Sequence, residues 1–302
     1  MRIGYPCINR TIGCKADSTF RLKSYSEDRL KQTVSSNLDC LEKILLYNVS
    51  KGILFFRITS DLVPFASHPV CKFDWQSHFK RRFSSIGAFI RAKKMRISMH
   101  PDQFTLINSV DKSIFERSAK ELVYHAEVLD LFGLDTTAKV QIHIGGVYND
   151  RAGSIRRFIN RYGSLPELVL RRLVLENDEK YPLRDCLFIN RETGVPILFD
   201  KFHHEIFNNS ECIRDSIGLT SATWVPARDG IPMVDYSSQM AGERRGKHAD
   251  SLDENDFLAF LHSTKDYDFD LMLELKDKEA SALRAIRVAS NDPRLAPPEF
   301  EG

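Results

Sequence analysis

The sequence predicts one α/β domain, a closed (β/α)8 barrel, and three observations carry that expectation. Short β-type runs alternate with helical patterns eight times along the chain. Eight such units fit a chain of 302 residues, close to the usual size of a barrel. Ionisable side chains collect at the C-terminal ends of the runs, and no matching series marks their starts.

The first strand is "RIGYPC" (2–7), followed by the amphipathic pattern 26–49, for which Ser26 is the expected N-cap. "ILFFRIT" (53–59) and "MRISMH" (95–100) are the next strands, and the helical pattern 111–133 closes on Gly133. "KVQIHI" (139–144), "RLVLEN" (172–177), "PILFDK" (196–201) and "IPMVDY" (231–236) continue the alternation. A helix over 251–264, opened by Ser251, leads to the last strand, "DLMLEL" (270–275). No linker or low-complexity stretch divides residues 1–294, so they form one domain; "LAPPEFEG" (295–302), with two prolines and no periodicity, is expected to be a flexible tail.

With 42% hydrophobic residues the chain can bury a substantial core. Forty-three basic against 41 acidic residues leave a charge of +2, so a nucleic-acid partner must be read from local patches. "MRIGYPCINR" lacks the apolar core of a signal peptide, and no run approaches the ~18 apolar residues of a membrane span. A cytoplasmic monomer without membrane contact is expected. The six cysteines (7, 14, 40, 71, 186, 212) show no C-x-x-C spacing and are expected to be reduced thiols.

A parallel barrel strand is covered on both faces, so an ionisable residue at its end needs a reason. At or just beyond successive strand ends stand Asn9, His68, His100, His143, Glu176, Asp200 with His203, Asp235 and Glu274. Those ends converge on the mouth where barrel active sites are built. Imidazoles and carboxylates without a cysteine are a ligand set for Zn²⁺ or Mn²⁺. Their number suits two or three ions, with Glu176 or Glu274 bridging. His78, His125 and His262 lie in helical patterns and are read as surface or packing residues; His204 is read as a support for His203. The "GERRGKH" stretch (242–248) leads into His248 and places Arg244, Arg245 and Lys247 where cations could hold phosphates.

In chain order, "FRITSDLVPFASH", "SMHPDQF", "HIGGVYND", "LVLEND", "FDKFHH", "YSSQ", "RRGKHAD" and "MLELKDKE" make the sequence resemble the UV damage endonuclease family from "GYPCIN" through "LELKDKE". That resemblance implies a TIM barrel related to endonuclease IV. It also implies about three divalent ions in a DNA-binding groove, manganese first, with zinc or magnesium as alternatives. The activity it implies is nicking of damaged double-stranded DNA immediately 5′ of UV photoproducts and some other lesions, leaving a 3′-hydroxyl.

Carried over by position, the implied ligands are His100, His143, Glu176, Asp200, His203, His248 and Glu274, with His68 in the active site. Gln103 and Phe104 match the family's glutamine-aromatic pair that enters the duplex beside the flipped lesion, and Tyr5 and Asn9 match residues contacting the lesion or its backbone. One stretch departs from the family: "MVDYSS" puts Met233 where the family has a lysine that is often carboxylated, and Asp235 where it has a histidine. Asp235 can still ligate a metal, and Lys201 is the candidate to take over from the missing lysine. The departure bears on metal preference and pH optimum more than on the reaction. A metal-dependent sugar isomerase would need no Gln103-Phe104 wedge, and a damage-binding protein with weakened catalysis would bind lesions without nicking.

Overall fold

In the computed structural model, residues 1–297 are described. Eight four-residue strands, every side chain in them buried, are β1 Ile3–Pro6, β2 Phe55–Ile58, β3 Arg96–Met99, β4 Lys139–Ile142, β5 Leu173–Glu176, β6 Ile197–Asp200, β7 Met233–Tyr236 and β8 Asp270–Leu273. Each pairs in parallel with its neighbours, and β1 pairs with β8, so the sheet closes on itself in sequence order. All eight strands lie inside the runs expected from sequence, trimmed at one or both ends where the chain turns away from the ladder.

The helices are α1 Glu27–Ser50, α2 Trp75–Ala92, α3 Lys112–Leu131, α4 Arg151–Tyr162, α5 Glu167–Leu170, α6 Leu183–Thr193, α7 Lys201–Ile206, α8 Ile213–Ser221, α9 Pro226–Asp229, α10 Glu254–Ser263 and α11 Glu279–Val288. Among the described residues, none is long and apolar enough to cross a membrane. Ser26 caps α1 as expected, its hydroxyl accepting from the Arg29 N–H at 3.2 Å. For α10 the expected cap is displaced: Asp253, not Ser251, accepts from Asn255 and Asp256 N–H, because a carboxylate offers two acceptor oxygens at the helix start.

Alternation along each strand sorts side chains into two cores. Outward residues such as Phe56, Met99, Val140, Leu175, Phe199, Val234 and Leu271 pack against the helices. Inward, Phe55, Val174, Leu198, Met233 and Met272 form a separate plug across the barrel, closed on the strand-start side by Trp224, whose indole N–H donates to Ile197 O at 2.8 Å. Gly4 faces this plug. A Cβ there would lie 1.9 Å from Phe55 O, so only glycine lets β1 and β2 close. Met233, the residue standing at the family's lysine position, is therefore a filler of the apolar layer immediately beneath the mouth.

Two expectations about the chain's periphery are corrected. Cys14, in the loop after β1, and Cys40, in α1, form a disulfide, so they are not free thiols; Cys7, Cys71, Cys186 and Cys212 are. The loop folds back over α1 and brings together two cysteines 26 positions apart, a pairing no local spacing announces. The tail expected from 295 is docked at its start: Leu295 and Ala296 pack on the core, and the Ala296 N–H donates to Met1 O at 2.8 Å. This gives two backbone groups partners that a free tail would leave to water. Residues 298–302 lie outside the described residues.

Candidate metal centre and nucleic-acid face

Strand parity decides which groups reach the mouth. The inward positions two residues beyond the plug carry Arg57, Gln141, Glu176, Asp200, Asp235 and Glu274, and His100 and His143 follow directly on β3 and β4. His203 enters from α7, whose first turn is capped by Asp200: Oδ1 accepts from the His203 N–H at 2.6 Å.

Glu176 is the hub. Its Oε2 lies 3.5 Å from His100 Nε2 and 3.7 Å from His143 Nε2, and its Oε1 lies 3.9 Å from His203 Nε2. Three groups of donor atoms, each within 4.8 Å of one another, overlap through shared carboxylates: His100–His143–Glu176, Glu176–Asp200–His203 and Asp200–Asp235–Glu274. Glu176 and Asp200 each belong to two groups, so each can bridge neighbouring ions. Ligands about 2.0–2.2 Å from one ion stand roughly 3–4 Å from each other, which these separations match. Among the described residues, His100 Nδ1, His248 Nδ1, Asp200 Oδ2 and Asp235 Oδ1 are buried without hydrogen-bond partners, a costly arrangement unless a cation or a proton completes it. The donor set therefore fits divalent metal.

Charge crowding shapes the protonation of this cluster. Burial, then the neighbouring Asp235, raises the Glu176 carboxyl well above its ordinary range. Burial likewise raises Asp200, and pushes Asp235 up to about 8 against the opposing pull of Arg57. Burial also pushes Glu274 upward, but the Arg57 guanidinium and His100 outweigh it and the carboxyl lies below its usual range. Burial keeps His100 well below the ordinary imidazole value.

Four contributors escaped the sequence reading. Arg57, buried in the barrel, donates to Asp235 Oδ2 at 2.6 Å and Gln141 Oε1 at 2.7 Å, and pairs with Glu274 through its other terminal nitrogen. Gln141 donates to Glu176 Oε2 at 2.6 Å and Asp235 Oδ2 at 2.7 Å. Together they floor the cluster. Asp178 stands 3.6 Å from His143 Nδ1 and Glu179 3.1 Å from His203 Nδ1, behind the imidazoles whose Nε2 atoms face Glu176. Polar residues inside buried strands were the available signal for Arg57 and Gln141; for the other pair it was the acidic run continuing past Glu176.

Several expected site residues sit elsewhere. Lys201 does not reach the cluster: the residue after inward Asp200 points outward, and its Nζ lies 2.9 Å from Asp256 Oδ2 and 2.8 Å from Glu205 Oε1, over the Tyr236 ring. His204 also points away, its Nε2 within 2.9 Å of Glu211 O, so it does not support His203. His68 is an exposed rim residue against Phe65, outside the three donor groups. Tyr5 is fully buried; its hydroxyl donates to Asn48 Oδ1 at 2.7 Å and accepts from Asn9 Nδ2 at 2.9 Å. Asn9 caps the Thr11 and Ile12 N–H groups, so the pair shapes the first loop and exposes no face to a ligand.

The remaining residues converge on the mouth. His248 borders a cavity with Arg57, His100 and Glu274, and its ring centre is 6.1 Å from that of His203. It is held by a bridge to Gln239, whose side chain ties the glycine-punctuated loop together. On that loop Arg244 and Arg245 are exposed, and Lys247 pairs with Glu243 at 2.8 Å. Gln103 borders a cavity of about 200 Å³ together with His100, His143 and His203. Beside it, Phe104 is 71% exposed, the highest value among the exposed large apolar residues described.

The chain is similar to known proteins in both sequence and fold. The family model of UV-endonuclease UvdE matches residues 1–294. The chain belongs to that family. Its relatives include the UV DNA damage endonuclease of Clostridium perfringens, 37% identical over 288 residues, covering 95% of this chain and 70% of that protein. The enzyme of the same name from Bacillus cereus strain Q1 is 32% identical, covering 96% and 95%. The crystal structure of SacUVDE, 43% identical, superposes with a TM-score of 0.91 over 96% of this chain and 98% of that one. Endonuclease IV from Thermus thermophilus shares the fold at 16% identity and a TM-score of 0.55, covering 82% and 93%. The family thus makes this chain a nuclease acting on DNA.

Proposed function

We propose that the protein nicks duplex DNA immediately 5′ of UV photoproducts by metal-assisted phosphodiester hydrolysis, leaving a 3′-hydroxyl. The observation that carries this reading is the convergence of three imidazole Nε2 atoms on the two oxygens of Glu176, directly beside an exposed Gln103-Phe104 tip.

Divalent ions held there, manganese first among them, would supply activation of water near neutral pH and neutralisation of charge on the phosphoryl group. His100, His143 and Glu176 would hold one ion; Glu176, Asp200 and His203 a second; Asp200, Asp235 and Glu274 a third, with His248 nearby at the rim. Arg57 and Gln141 fix the carboxylates from below, while Asp178 and Glu179 aim the imidazoles. Recognition is by deformability: a photoproduct already weakens stacking, so extruding it costs less than the few kcal/mol of an intact base. Phe104 stacks in the vacated space and Gln103 faces the orphaned partner bases.

Purified protein with Mn²⁺ and a duplex carrying one thymine dimer is expected to yield a chelator-sensitive nick 5′ of the dimer. Lesion binding without a nick overturns the catalytic part of this reading, and cleavage at undamaged sites overturns its specificity. Glu176→Ala is expected to abolish nicking.

A further inference from the structure

Past β8 the chain runs through Glu274 to Lys278, which immediately precedes α11. Lys278 adopts φ 54° and ψ −115°, a backbone state that glycine reaches freely and a lysine only with strain. Across from it, Cys7 is likewise left-handed, with φ 71°. Between them opens a cavity of about 400 Å³ bordered by Pro6, Cys7, Arg57, His100, Glu274 and Lys278. The other cations bordering this cavity are engaged: Arg57 with Asp235 and Glu274, Lys276 with Asp250 at 2.6 Å. Among the described residues, the Lys278 ammonium has neither a hydrogen bond nor an ion pair within 4 Å, although the side chain is half-buried.

We propose that Lys278 is a substrate-contacting residue that binds a non-bridging oxygen of a DNA backbone phosphate at the metal cluster. The inference rests on the phosphodiester-hydrolysis reading above. An ammonium beside two proposed metal ligands, acted on by Glu274 only from beyond ion-pair distance, is placed to take an anion from the cavity, and phosphates are the anionic groups of a DNA strand lying across this mouth. A compact ammonium is a point-charge phosphate binder that needs no second fixed donor. The strained backbone is the second observation. Sites that retain such a conformation do so where the side chain has a task, and the turn at 278 determines where the lysine leaves the chain.

The test compares wild type with Lys278→Met, Lys278→Arg and Lys278→Gly, using a thymine-dimer duplex, Mn²⁺, and duplexes bearing a single uncharged methylphosphonate at successive positions near the dimer. Lys278→Met is expected to nick roughly ten- to hundredfold more slowly, with unchanged Mn²⁺ stoichiometry. The slope of log affinity against log salt is expected to shrink by about 1. At one position the methylphosphonate is expected to slow wild type but not to slow Lys278→Met further. Lys278→Arg restores part of the rate. Lys278→Gly, relieved of strain, melts at or above the wild-type temperature yet nicks no faster than Lys278→Met.

Wild-type rates in Lys278→Met, or equal methylphosphonate penalties in both proteins at every position, overturn the assignment while leaving the endonuclease reading intact. Wild type that neither binds nor nicks the dimer duplex overturns both.

Discussion

His125 reads from sequence as a packing residue, and its surroundings make that packing pH-dependent. It is fully buried in α3, with Nδ1 2.7 Å from Glu121 O and Nε2 3.1 Å from Ser60 Oγ, and the Ser60 hydroxyl donates to His100 O at 2.7 Å. Burial lowers its pKa to about 4. The unfolded chain therefore binds this proton more readily between about 6.5 and 4, and stability present above pH 6.5 is lost as pH falls through that window. The loss is about 3 kcal/mol. Thermal melts at pH 7.5 and 5.0 are expected to show about 2 kcal/mol of it, and a His125→Gln variant should flatten the dependence. Glu179, drawn down to about 2 chiefly by His203, whose Nδ1 stands 3.1 Å from its carboxylate, is the other residue-scale test. Glu179→Ala is expected to weaken Mn²⁺ binding about 10- to 100-fold, read by titration calorimetry without any activity assay.

Elements hold the site by parity and by stapling. β6 turns Asp200 inward and Lys201 outward, so adjacent residues of one motif end in different environments, and a reading by proximity in sequence assigns Lys201 wrongly. The inward layer beneath, with Met233 and Leu198 packed together, has no room to collapse around a deletion. Leu198→Ala is expected to cost about 2–5 kcal/mol in denaturant melts. The Cys14–Cys40 staple closes a loop of 26 residues on α1, which limits the unfolded chain by about 3.5 kcal/mol. Reduction, or Cys14→Ser, is expected to lower the melting temperature, and an unchanged one would show that the bridge does not persist in solution.

At the scale of the molecule, a net charge of +2 leaves DNA affinity to the cations around one mouth: Arg244 and Arg245 on the His248 loop and Lys278 on the opposite rim. Neutralising any one of these cations should therefore reduce the salt slope by about 1 without changing lesion preference. Phe104→Ala should do the reverse, erasing the preference for dimer over undamaged duplex in competition binding while leaving the slope intact. The barrel itself says little about substrate. A shared fold does not fix function, which lives in the side chains brought to the mouth.

The sequence by itself determined the barrel, the eight strands and the inventory of imidazoles and carboxylates at the strand ends, because period-two burial and local turn chemistry are written residue by residue. "ISMHPDQF" is the clearest case: a buried strand, an imidazole at its end, and an amide and a ring left outside. Only the tertiary structure decided which of those groups meet. Arg57 beneath Asp235, Glu179 behind His203, Lys278 on the mouth cavity, Tyr5 turned toward α1 and the Cys14–Cys40 bridge all depend on distances between segments far apart in the chain. Those distances are set by closure of the barrel and by the direction each loop takes on leaving it, which no local pattern encodes.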